Sequence, residues 1–573
     1  MQLHFLKGPQ KEFLSEGNYH KGQTVEDRFQ DIVNRVKDYE SLGFPTGLGD
    51  RIERLIENNI LSLSTPVIAN FGKKNSDGSL CKNLSASCNI VSVENSIHGI
   101  YSANLEVAML SKRGAGVGID FTLLPDGGTL IDETFHSNSK LDWMKALIDT
   151  SQKVSQGGVR RGYATPFESI ESDTFEQLLK EVDKNNSDKS SVLIDNTIGC
   201  VIPEGFMDKL DAGDKIAQRK FLNLLNERKK SGQIYISYVE NMNKNSSEVY
   251  KNIGLNIKNA NICMEFCMPY MQGYTPVCVI SAINLMKWDA VKNDPQIIKD
   301  IIYFLNIINE EYVLLTKDQP GLEKAHAAAR DKKDIGLGTL GLHSLFQSMG
   351  FSFGSMKSRL LNKEIYSTIQ KYSIEASEEL ADLLGPCKIA KDAGMNRRNC
   401  SLNMIAPNKS SSFFNTVDDN GSPASLGIEP YFSNIFTKRL SKIQFTFKNP
   451  FLEKILEERG QNNFKVWEDI SNNLGSVQHL DFLTKEEKEV FLTFGEISPK
   501  DIIDLAADRQ VYIDMGQSLN LMNRPNYTNK DLFQIHKYAF DKGIKTLYYF
   551  YSQAHASLEK EGKSWDSCIS CAD

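Results

Sequence analysis

Short apolar runs alternate with longer helical stretches through most of this chain, from about residue 55 to about residue 450 of 573. Runs such as CVISAINL (278–285) and QIYISYV (233–239) have the length of buried strands, whereas PQIIKDIIYFLNIINEEYVLL (295–315) has the length of a long helix. Glycine-rich turns such as RGAGVGID (113–120) separate them. This alternation predicts an α/β fold built around buried strands.

The two ends of the chain differ from this central region. The segment VEDRFQDIVNRVKDYESLG (25–43) has apolar residues at helical spacing and ends on glycine, which predicts an N-terminal helical segment. The last sixteen residues, LEKEGKSWDSCISCAD, are polar and lack periodicity, which predicts a flexible tail. We therefore divide the chain into residues 1–55, 56–530, 531–557 and 558–573.

Composition excludes several classes of protein. With 40% hydrophobic and 24% charged residues the chain has the composition of an ordinary globular protein. A net charge of -7 and the lack of a basic stripe argue against a nucleic-acid partner. No apolar run approaches the length of a membrane span and the N-terminus does not resemble a signal peptide, so we expect a cytoplasmic protein.

Ten cysteines in such a chain are expected to be reduced thiols, metal ligands or redox groups. Four of them, Cys81, Cys200, Cys387 and Cys400, lie in ordinary contexts and are expected to be plain small residues. The other six lie in or near segments that look built around a thiol: Cys88, Cys263, Cys267, Cys278, Cys568 and Cys571.

The most informative segment is Asn261–Phe266, with the sequence NICMEF. As a strand it would point Asn261, Cys263 and Glu265 to one face and the apolar residues between them into the core. A thiol between an amide and a carboxylate suits radical chemistry on a sugar, with the thiol abstracting a hydrogen atom and the carboxylate acting as a base. The alternative is an ordinary amphipathic strand.

Two further thiol segments, SASCNI (85–90) and PVCVISAINL (276–285), accompany it. With them, the chain resembles the large subunits of ribonucleotide reductases over most of its length. The resemblance implies that Cys263 carries a transient thiyl radical, that Glu265 is the base on the ribose 3'-hydroxyl and that Asn261 holds the substrate. Cys88, which follows Ser87, and Cys278 would form the reducing pair.

The resemblance also implies a fold and a substrate site. The fold would be a ten-stranded α/β barrel of the ribonucleotide reductase and glycyl-radical type, occupying residues 56–530. Thr65 and Gly116 would line the substrate. The turn Pro407, Asn408, Lys409, Ser410 and Ser411, upstream of GIEP (427–430), would bind its phosphates, although a serine-rich turn is also a common helix start. Asn408 and Lys409 stand where small residues are common, which leaves diphosphate or triphosphate open.

The pair Tyr548 and Tyr549 resembles the relay by which class I enzymes pass an oxidising equivalent from a separate small subunit to the cysteine. Residues 531–557 would then form the radical-relay region. The enzyme would need a small subunit with a di-iron, di-manganese or mixed metal site, and the large subunit itself would bind no cofactor or metal. The alternatives are an aromatic strand packed in the core, a cobalamin-dependent class II enzyme, or a non-catalytic scaffold that binds nucleotides.

The tail pair Cys568 and Cys571 is expected to be a redox shuttle that is reduced by a thioredoxin or glutaredoxin. The alternative is that the pair forms half of a zinc site. The resemblance further implies a homodimer with dNTP or ATP as effectors near Asn95 and Ser96, although Asn95 replaces a common aspartate. Because the substrate segment begins by Thr65, we expect no N-terminal ATP-binding domain. This compact form is reminiscent of phage reductases, which would work in the host cytoplasm.

Overall fold

The computed structural model describes residues 1–16, 22–86, 88–131, 134–136, 139–154, 162–183, 191–194, 196–440 and 443–552. The helices of these residues are α1 (Gly8–Glu16), α2 (Val25–Glu40), α3 (Leu48–Glu57), α4 (Thr65–Asn70), α5 (Ile97–Lys112), α6 (Lys140–Val154), α7 (Asp173–Glu181), α8 (Phe206–Asp211), α9 (Lys215–Ser231), α10 (Val239–Lys244), α11 (Glu248–Asn252), α12 (Trp288–Asn293), α13 (Gln296–Thr316), α14 (Glu323–Asp331), α15 (Leu342–Ser348), α16 (Met356–Leu384), α17 (Lys388–Asp392), α18 (Lys409–Phe414), α19 (Pro450–Glu458), α20 (Phe464–Asn472), α21 (Lys485–Val490), α22 (Pro499–Gln510) and α23 (Asn529–Asp541).

The strands are β1 (Leu61–Leu63), β2 (Cys88–Ser92), β3 (Gly116–Asp120), β4 (Leu130–Ile131), β5 (Phe135–His136), β6 (Tyr163–Ser169), β7 (Ile198–Ile202), β8 (Ile234–Tyr238), β9 (Ile257–Ala260), β10 (Cys267–Pro269), β11 (Val277–Cys278), β12 (Ile280–Asn284), β13 (Gly336–Leu340), β14 (Ile435–Leu440), β15 (Ile443–Lys448), β16 (Leu521–Asn523), β17 (Thr546–Leu547) and β18 (Phe550–Ser552).

Two sheets form the centre of the fold. The larger has seven strands in the order β11-β2-β3-β6-β7-β8-β17, of which the five inner strands are parallel and the two outer strands antiparallel to them. The smaller has the order β1-β12-β13 and is continued by parallel bridges from Leu337 to Asn403 and from Ile405 to Gln517. The α/β fold predicted from the sequence is confirmed.

Burial explains why these strands are continuous apolar runs. Every residue of β3, β7 and β8 is buried, as expected of parallel strands that are covered on both faces. Helix α13 is apolar on nearly all sides and is buried against α14, α16 and β13. The N-terminal helices join this core, since Arg35 of α2 forms an ion pair of 2.7 Å with the buried Glu311 of α13. Within the described ranges, no helix has the length and apolar character needed to cross a membrane.

The prediction of a strand at residues 261–266 is wrong. These residues form a tight turn that joins β9 to β10, which are paired antiparallel with Cys267 opposite Ala260. The turn is closed by the backbone N–H of Met264 on Asn261 O and by that of Asn261 on Phe266 O, both at 3.0 Å. Met264 has a φ of 70°, in the left-handed region. All six side chains are buried, so the expected division into two faces does not exist.

Candidate active site

One cavity brings together residues from segments that are far apart in the sequence. Its walls come from β1 and α4, the start of β2, the turn between β9 and β10, the strands β12 and β13, and the segment that leads into α18. The residues that line it are Ser62, Ser64, Thr65, Pro66, Cys88, Cys263, Glu265, Ile280, Ser281, Ala282, Gly336, Gly338, Met404, Ala406, Pro407, Asn408, Lys409, Ser410 and Ser411. Most of the residues predicted as catalytic or substrate-binding therefore surround one space.

Two thiols and a carboxylate lie close together in the wall of this cavity. The sulfur atoms of Cys88 and Cys263 and a carboxylate oxygen of Glu265 all lie within 4.8 Å of one another, and all three residues are buried. The arrangement places a hydrogen-atom donor, a second thiol and a base around one small volume. The spacing would also allow the three atoms to bind one metal ion, for which thiolates and a carboxylate are suitable ligands.

Hydrogen bonds fix the turn that carries Cys263 and Glu265. Asn261 Nδ2 donates to Glu265 Oε1 at 3.0 Å, while its Oδ1 accepts the backbone N–H of Phe266 at 3.0 Å. Ser518 Oγ donates to the carbonyl of Cys263 at 2.5 Å and lies 3.3 Å from Glu265 Oε2. Asn261 thus orients the Glu265 carboxylate through a direct hydrogen bond. In the predicted strand, the two side chains would only have shared a face.

Cys88 reaches the cavity from the first residue of β2. In the backbone register it lies opposite Cys278 of β11 on one side and beside Gly116 of β3 on the other. The two cysteines predicted as a reducing pair are therefore direct neighbours across an antiparallel ladder. Gly116 is buried beside Cys88 but is not among the residues that line the cavity.

Unpartnered polar atoms indicate that the cavity is shaped for a polar ligand. The hydroxyls of Ser64, Thr65 and Ser281 are buried and have no hydrogen-bond partner in the described part of the chain. Buried hydroxyls are nearly always hydrogen-bonded in folded proteins, because leaving one unpaired costs about 1–3 kcal/mol. A ligand with several hydroxyl groups would satisfy them.

Glycines allow the far wall of the cavity to form. A Cβ at Gly336 would lie 1.8 Å from the Met404 side chain, and one at Gly338 would lie 2.6 Å from the Met404 carbonyl oxygen. The segment around Met404 can therefore run close along β13, where the N–H of Leu337 donates to Leu402 O at 2.8 Å. This contact directs the chain toward the predicted phosphate turn.

The predicted phosphate turn, residues 407–411, lies at the end of this segment. Asn408 has a φ of 43° and precedes α18, and its Nδ2 donates to the carbonyls of Thr339 and Ala406. Ser410 and Ser411 are buried, while Lys409 is half-buried at the edge of the cavity. The turn thus presents the backbone and hydroxyls of a helix start, together with one ammonium group, to the same cavity as the thiols.

The two tyrosines predicted as a relay are buried and in ring contact, with their planes tilted by 56°. The ring centroids of Tyr548 and Tyr549 are 4.2 Å apart, and Tyr235 of β8 lies 4.6 Å from Tyr548. The backbone of this pair is bonded to the segment that follows Ser518, since Tyr548 N–H donates to Leu519 O at 2.8 Å. One short segment, residues 518–521, therefore contacts both the thiol turn and the tyrosine pair.

Lys545 anchors the start of the tyrosine segment. Its ammonium group is buried and donates to the backbone carbonyls of Asn245 at 2.7 Å, Asp514 at 2.9 Å and Met515 at 2.7 Å. Burial lowers the pKa of Lys545 to about 8. Burial also raises the pKa of the neighbouring Cys267 to about 12, so this thiol stays protonated behind the turn.

A second buried carboxyl lies between the phosphate turn and the tyrosines. Asn520 Nδ2 donates to Glu429 Oε1 at 2.8 Å, and Asn520 Oδ1 accepts the backbone N–H of Tyr549 at 3.0 Å. Burial raises the pKa of Glu429 to about 8. Glu429 is consequently protonated over most of the physiological range.

The remaining predicted residues lie elsewhere. Asn95 is exposed at the surface, and Ser96 caps α5 by accepting the Gly99 N–H at 2.9 Å. Neither lines the cavity, and their assignment to a separate effector site stays a prediction. Ser87, Cys568 and Cys571 lie outside the described residues.

Several site residues were not singled out by sequence reasoning. Ser281 lies within the quoted segment 276–285 and Ser64 directly precedes the predicted Thr65, but nothing in the sequence marks their hydroxyls as buried and unpaired. Ser518 lies about 250 residues from the turn that it holds, and no local pattern could connect the two. Glu429 lies in the GIEP segment quoted above, but nothing in the sequence marks it as buried.

Comparison with known proteins identifies the family. Residues 86–220, 217–396 and 389–550 match the family model described as "Ribonucleotide reductase, barrel domain". The chain belongs to the ribonucleotide reductase family, and the barrel fold predicted from the resemblance is confirmed.

Individual relatives agree with this assignment. A ribonucleoside-diphosphate reductase large subunit of Invertebrate iridescent virus 3 is 34% identical over 356 residues, which are 60% of this chain and 55% of that protein. One from Caenorhabditis elegans is 28% identical over 580 residues, covering 87% of this chain and 69% of that protein. The chain thus spans about half of the viral relative. The structure is similar to that of an Actinobacillus ureae class Id ribonucleotide reductase alpha subunit, with a TM-score of 0.86, 33% identity and coverage of 96% and 97%.

Glu429 gives a prediction for the dependence of stability on pH. Since its pKa is raised from 4.5 to about 8, the folded protein binds one more proton than the unfolded chain between these values. The contribution of this group to the free energy of unfolding is therefore fully present below about pH 4.5, and it is lost as the pH rises toward 8. Chemical denaturation at several pH values should show that the free energy of unfolding declines less steeply with rising pH in Glu429→Gln than in the parent. The exposed Glu458→Gln should leave the dependence of the free energy of unfolding on pH unchanged. If Glu429→Gln declines with pH as steeply as the parent, the raised pKa of Glu429 is contradicted.

Proposed function

We propose that this chain is a catalytic large subunit that reduces ribonucleoside diphosphates to 2'-deoxyribonucleoside diphosphates. The observation that carries the proposal is the close grouping of Cys88, Cys263 and Glu265 in a cavity that also contains the turn at 407–411. A ribose seated among the first three would place its phosphates within reach of the turn. The relatives named as diphosphate reductases support the choice of a diphosphate over a triphosphate.

The first step that we propose is abstraction of the 3'-hydrogen atom by a thiyl radical on Cys263. Glu265 takes the proton of the 3'-hydroxyl, and its orientation by Asn261 supports this role. The hydroxyls of Ser64, Thr65 and Ser281 would hold the sugar. The burial of Cys88, Cys263 and Glu265 supports radical chemistry, because reactive groups that are buried are shielded from water.

The second step replaces the 2'-hydroxyl, which leaves as water, by hydrogen, and this reduction requires two electrons. We propose that Cys88 and Cys278 supply them and become joined by a disulfide, so that ribose–OH and two thiols give deoxyribose–H, water and one disulfide. The direct register of the two cysteines across β2 and β11 supports this pairing. The tail cysteines, Cys568 and Cys571, would then reduce the disulfide and be reduced in turn by a thioredoxin or glutaredoxin.

The thiyl radical requires an oxidant from outside this chain. We propose that a separate small subunit with a di-iron, di-manganese or mixed metal site supplies it, and that Tyr549 and Tyr548 conduct it inward. Their ring separation of 4.2 Å and their burial support a relay. The likeness to a class Id alpha subunit favours this class I route over a cobalamin-dependent one.

Regulation and assembly belong to the same proposal. We place the effector, a dNTP or ATP, near Asn95 and Ser96 at the interface of a homodimer, and the accessibility of this surface supports the location. We also keep the division of the chain into an N-terminal helical segment (1–55), a catalytic barrel (56–530), a relay region (531–557) and a redox tail (558–573). A chemistry that depends on reduced thiols favours the cytoplasm as its compartment.

Replacement of the proposed radical cysteine tests the chemistry. Cys263→Ser should abolish formation of deoxynucleotide while leaving nucleotide binding nearly intact, because an alcohol O–H is much harder to cleave homolytically than a thiol S–H. The assay combines the chain with its small subunit, dithiothreitol and CDP, and measures dCDP by chromatography and CDP binding by calorimetry. The half-buried Cys81→Ser is the control and should stay active. Measurable dCDP from Cys263→Ser would contradict the role of Cys263.

Replacement of the tyrosines tests the radical route. Tyr548→Phe and Tyr549→Phe keep the ring and its packing but remove the O–H that proton-coupled electron transfer needs. Stability should change by only about 1 kcal/mol, whereas activity with the small subunit should disappear. Tyr538→Phe is the matched control, since its hydroxyl bonds Asp504 away from the relay. If both relay variants remain active, the tyrosines are packing residues and a cobalamin-type enzyme becomes the better description.

A further inference from the structure

A second pair of thiols lies in the barrel, apart from the cavity. The sulfur atoms of Cys387 and Cys400 are 3.6 Å apart, and both side chains are 2% exposed. Neither residue lines the cavity, and no sequence pattern connects the two. A disulfide bond is about 2.0 Å long, so a shift of about 1.5 Å would join the two sulfurs.

The backbone already holds this pair in place. The N–H of Cys387 donates to Arg397 O at 3.0 Å, which closes the loop of residues 387–397 around α17. The N–H of Cys400 donates to Lys332 O at 3.1 Å, and its carbonyl accepts the Ser247 hydroxyl. Both cysteines are thus fixed by backbone contacts, and little rearrangement is needed to bring their sulfurs together.

The two thiols are not equivalent. Cys387 lies just before α17, between the half-buried Pro386 and the exposed Lys388, so it is close to the surface. The hydrogen bond with Cys400 is the largest influence that lowers the pKa of Cys387, and the nearby Lys333 acts in the same direction. Burial raises the pKa of Cys400 well above its usual value. Cys387 is therefore the better nucleophile, and Cys400 is the thiol that can resolve an oxidised Cys387.

We propose that Cys387 and Cys400 form a peroxide-sensitive dithiol that becomes an intramolecular disulfide, independent of the catalytic cysteines. The Cys387 thiolate attacks hydrogen peroxide, breaks its O–O bond and becomes a sulfenic acid, with release of hydroxide. The Cys400 thiol then attacks the Cys387 sulfur and releases water. In sum, two thiols and one H2O2 give one disulfide and two waters.

The position of the pair gives the disulfide a consequence for the barrel. Cys400 begins the segment that runs along β13 at Leu402 and Asn403 and continues into the cavity at Met404. The link would tie α17 to the base of this segment. Oxidation of this buried pair would thereby restrain the wall of the cavity that carries the phosphate turn.

Peptide mapping tests the proposal without any activity measurement. The full chain carrying Cys88→Ser and Cys278→Ser, which removes the catalytic pair, is reduced, exposed to hydrogen peroxide, alkylated and digested with trypsin. The two cysteines fall in separate tryptic peptides, 372–388 and 399–409. We expect these peptides to become linked and to separate again after treatment with dithiothreitol, and we expect both Cys387 and Cys400 to disappear from the alkylated thiols.

Single variants in the same background assign the roles of the two thiols. With Cys400→Ser, Cys387 should be trapped as a sulfenic acid by dimedone, whereas with Cys387→Ser, Cys400 should remain a free thiol. Cys200→Ser, at a buried cysteine of β7, should leave the linked peptide unchanged. The proposal is overturned if both thiols remain open to alkylation at peroxide doses that oxidise the half-buried Cys81, or if Cys387 becomes linked to another cysteine. Because the readout is a disulfide, this failure would leave the proposed reductase activity untouched.

Discussion

The contact on which the site depends is the one between residues 516–518 and the turn at 261–266. The N–H of Gly516 donates to Glu265 O at 2.8 Å, and Ser518 Oγ donates to Cys263 O at 2.5 Å. A Cβ at Gly516 would lie 2.8 Å from Met264 O, so glycine is needed for this approach. The turn has a residue with positive φ and six buried side chains, and it stays in this shape because a distant segment satisfies its carbonyl groups.

The same segment connects the buried thiol turn to the buried tyrosine pair. Beyond Ser518 the chain bonds to Tyr548 through Leu519, and Asn520 links Tyr549 to the protonated Glu429. Lys545 holds the other end of the tyrosine segment against residues 513–515. One continuous set of hydrogen bonds therefore positions the thiol turn, the tyrosine pair and the loop of Glu429. A change in the position of one of them would shift the other two.

Sequence reasoning identified the residues of the site better than their local structure. The α/β alternation gave the fold, and the resemblance placed Cys88, Cys263, Glu265 and the turn at 407–411 together, as the cavity does. The prediction of a strand at 261–266 is wrong because apolar and polar residues alternate in this fully buried turn just as they do in an amphipathic strand. Ser518 and the Cys387–Cys400 pair depend on contacts between distant segments, which local periodicity does not contain.

The most direct test of this account is a structure of the chain with CDP bound. The account predicts the ribose in the cavity, with C3' facing the Cys263 sulfur, the 3'-hydroxyl within hydrogen-bond distance of Glu265, and the diphosphate against the backbone N–H groups and hydroxyls of residues 408–411. The hydroxyls of Ser64, Thr65 and Ser281 should gain partners in the same complex. A nucleotide bound outside this cavity, or a ribose turned so that C3' faces away from Cys263, would contradict it.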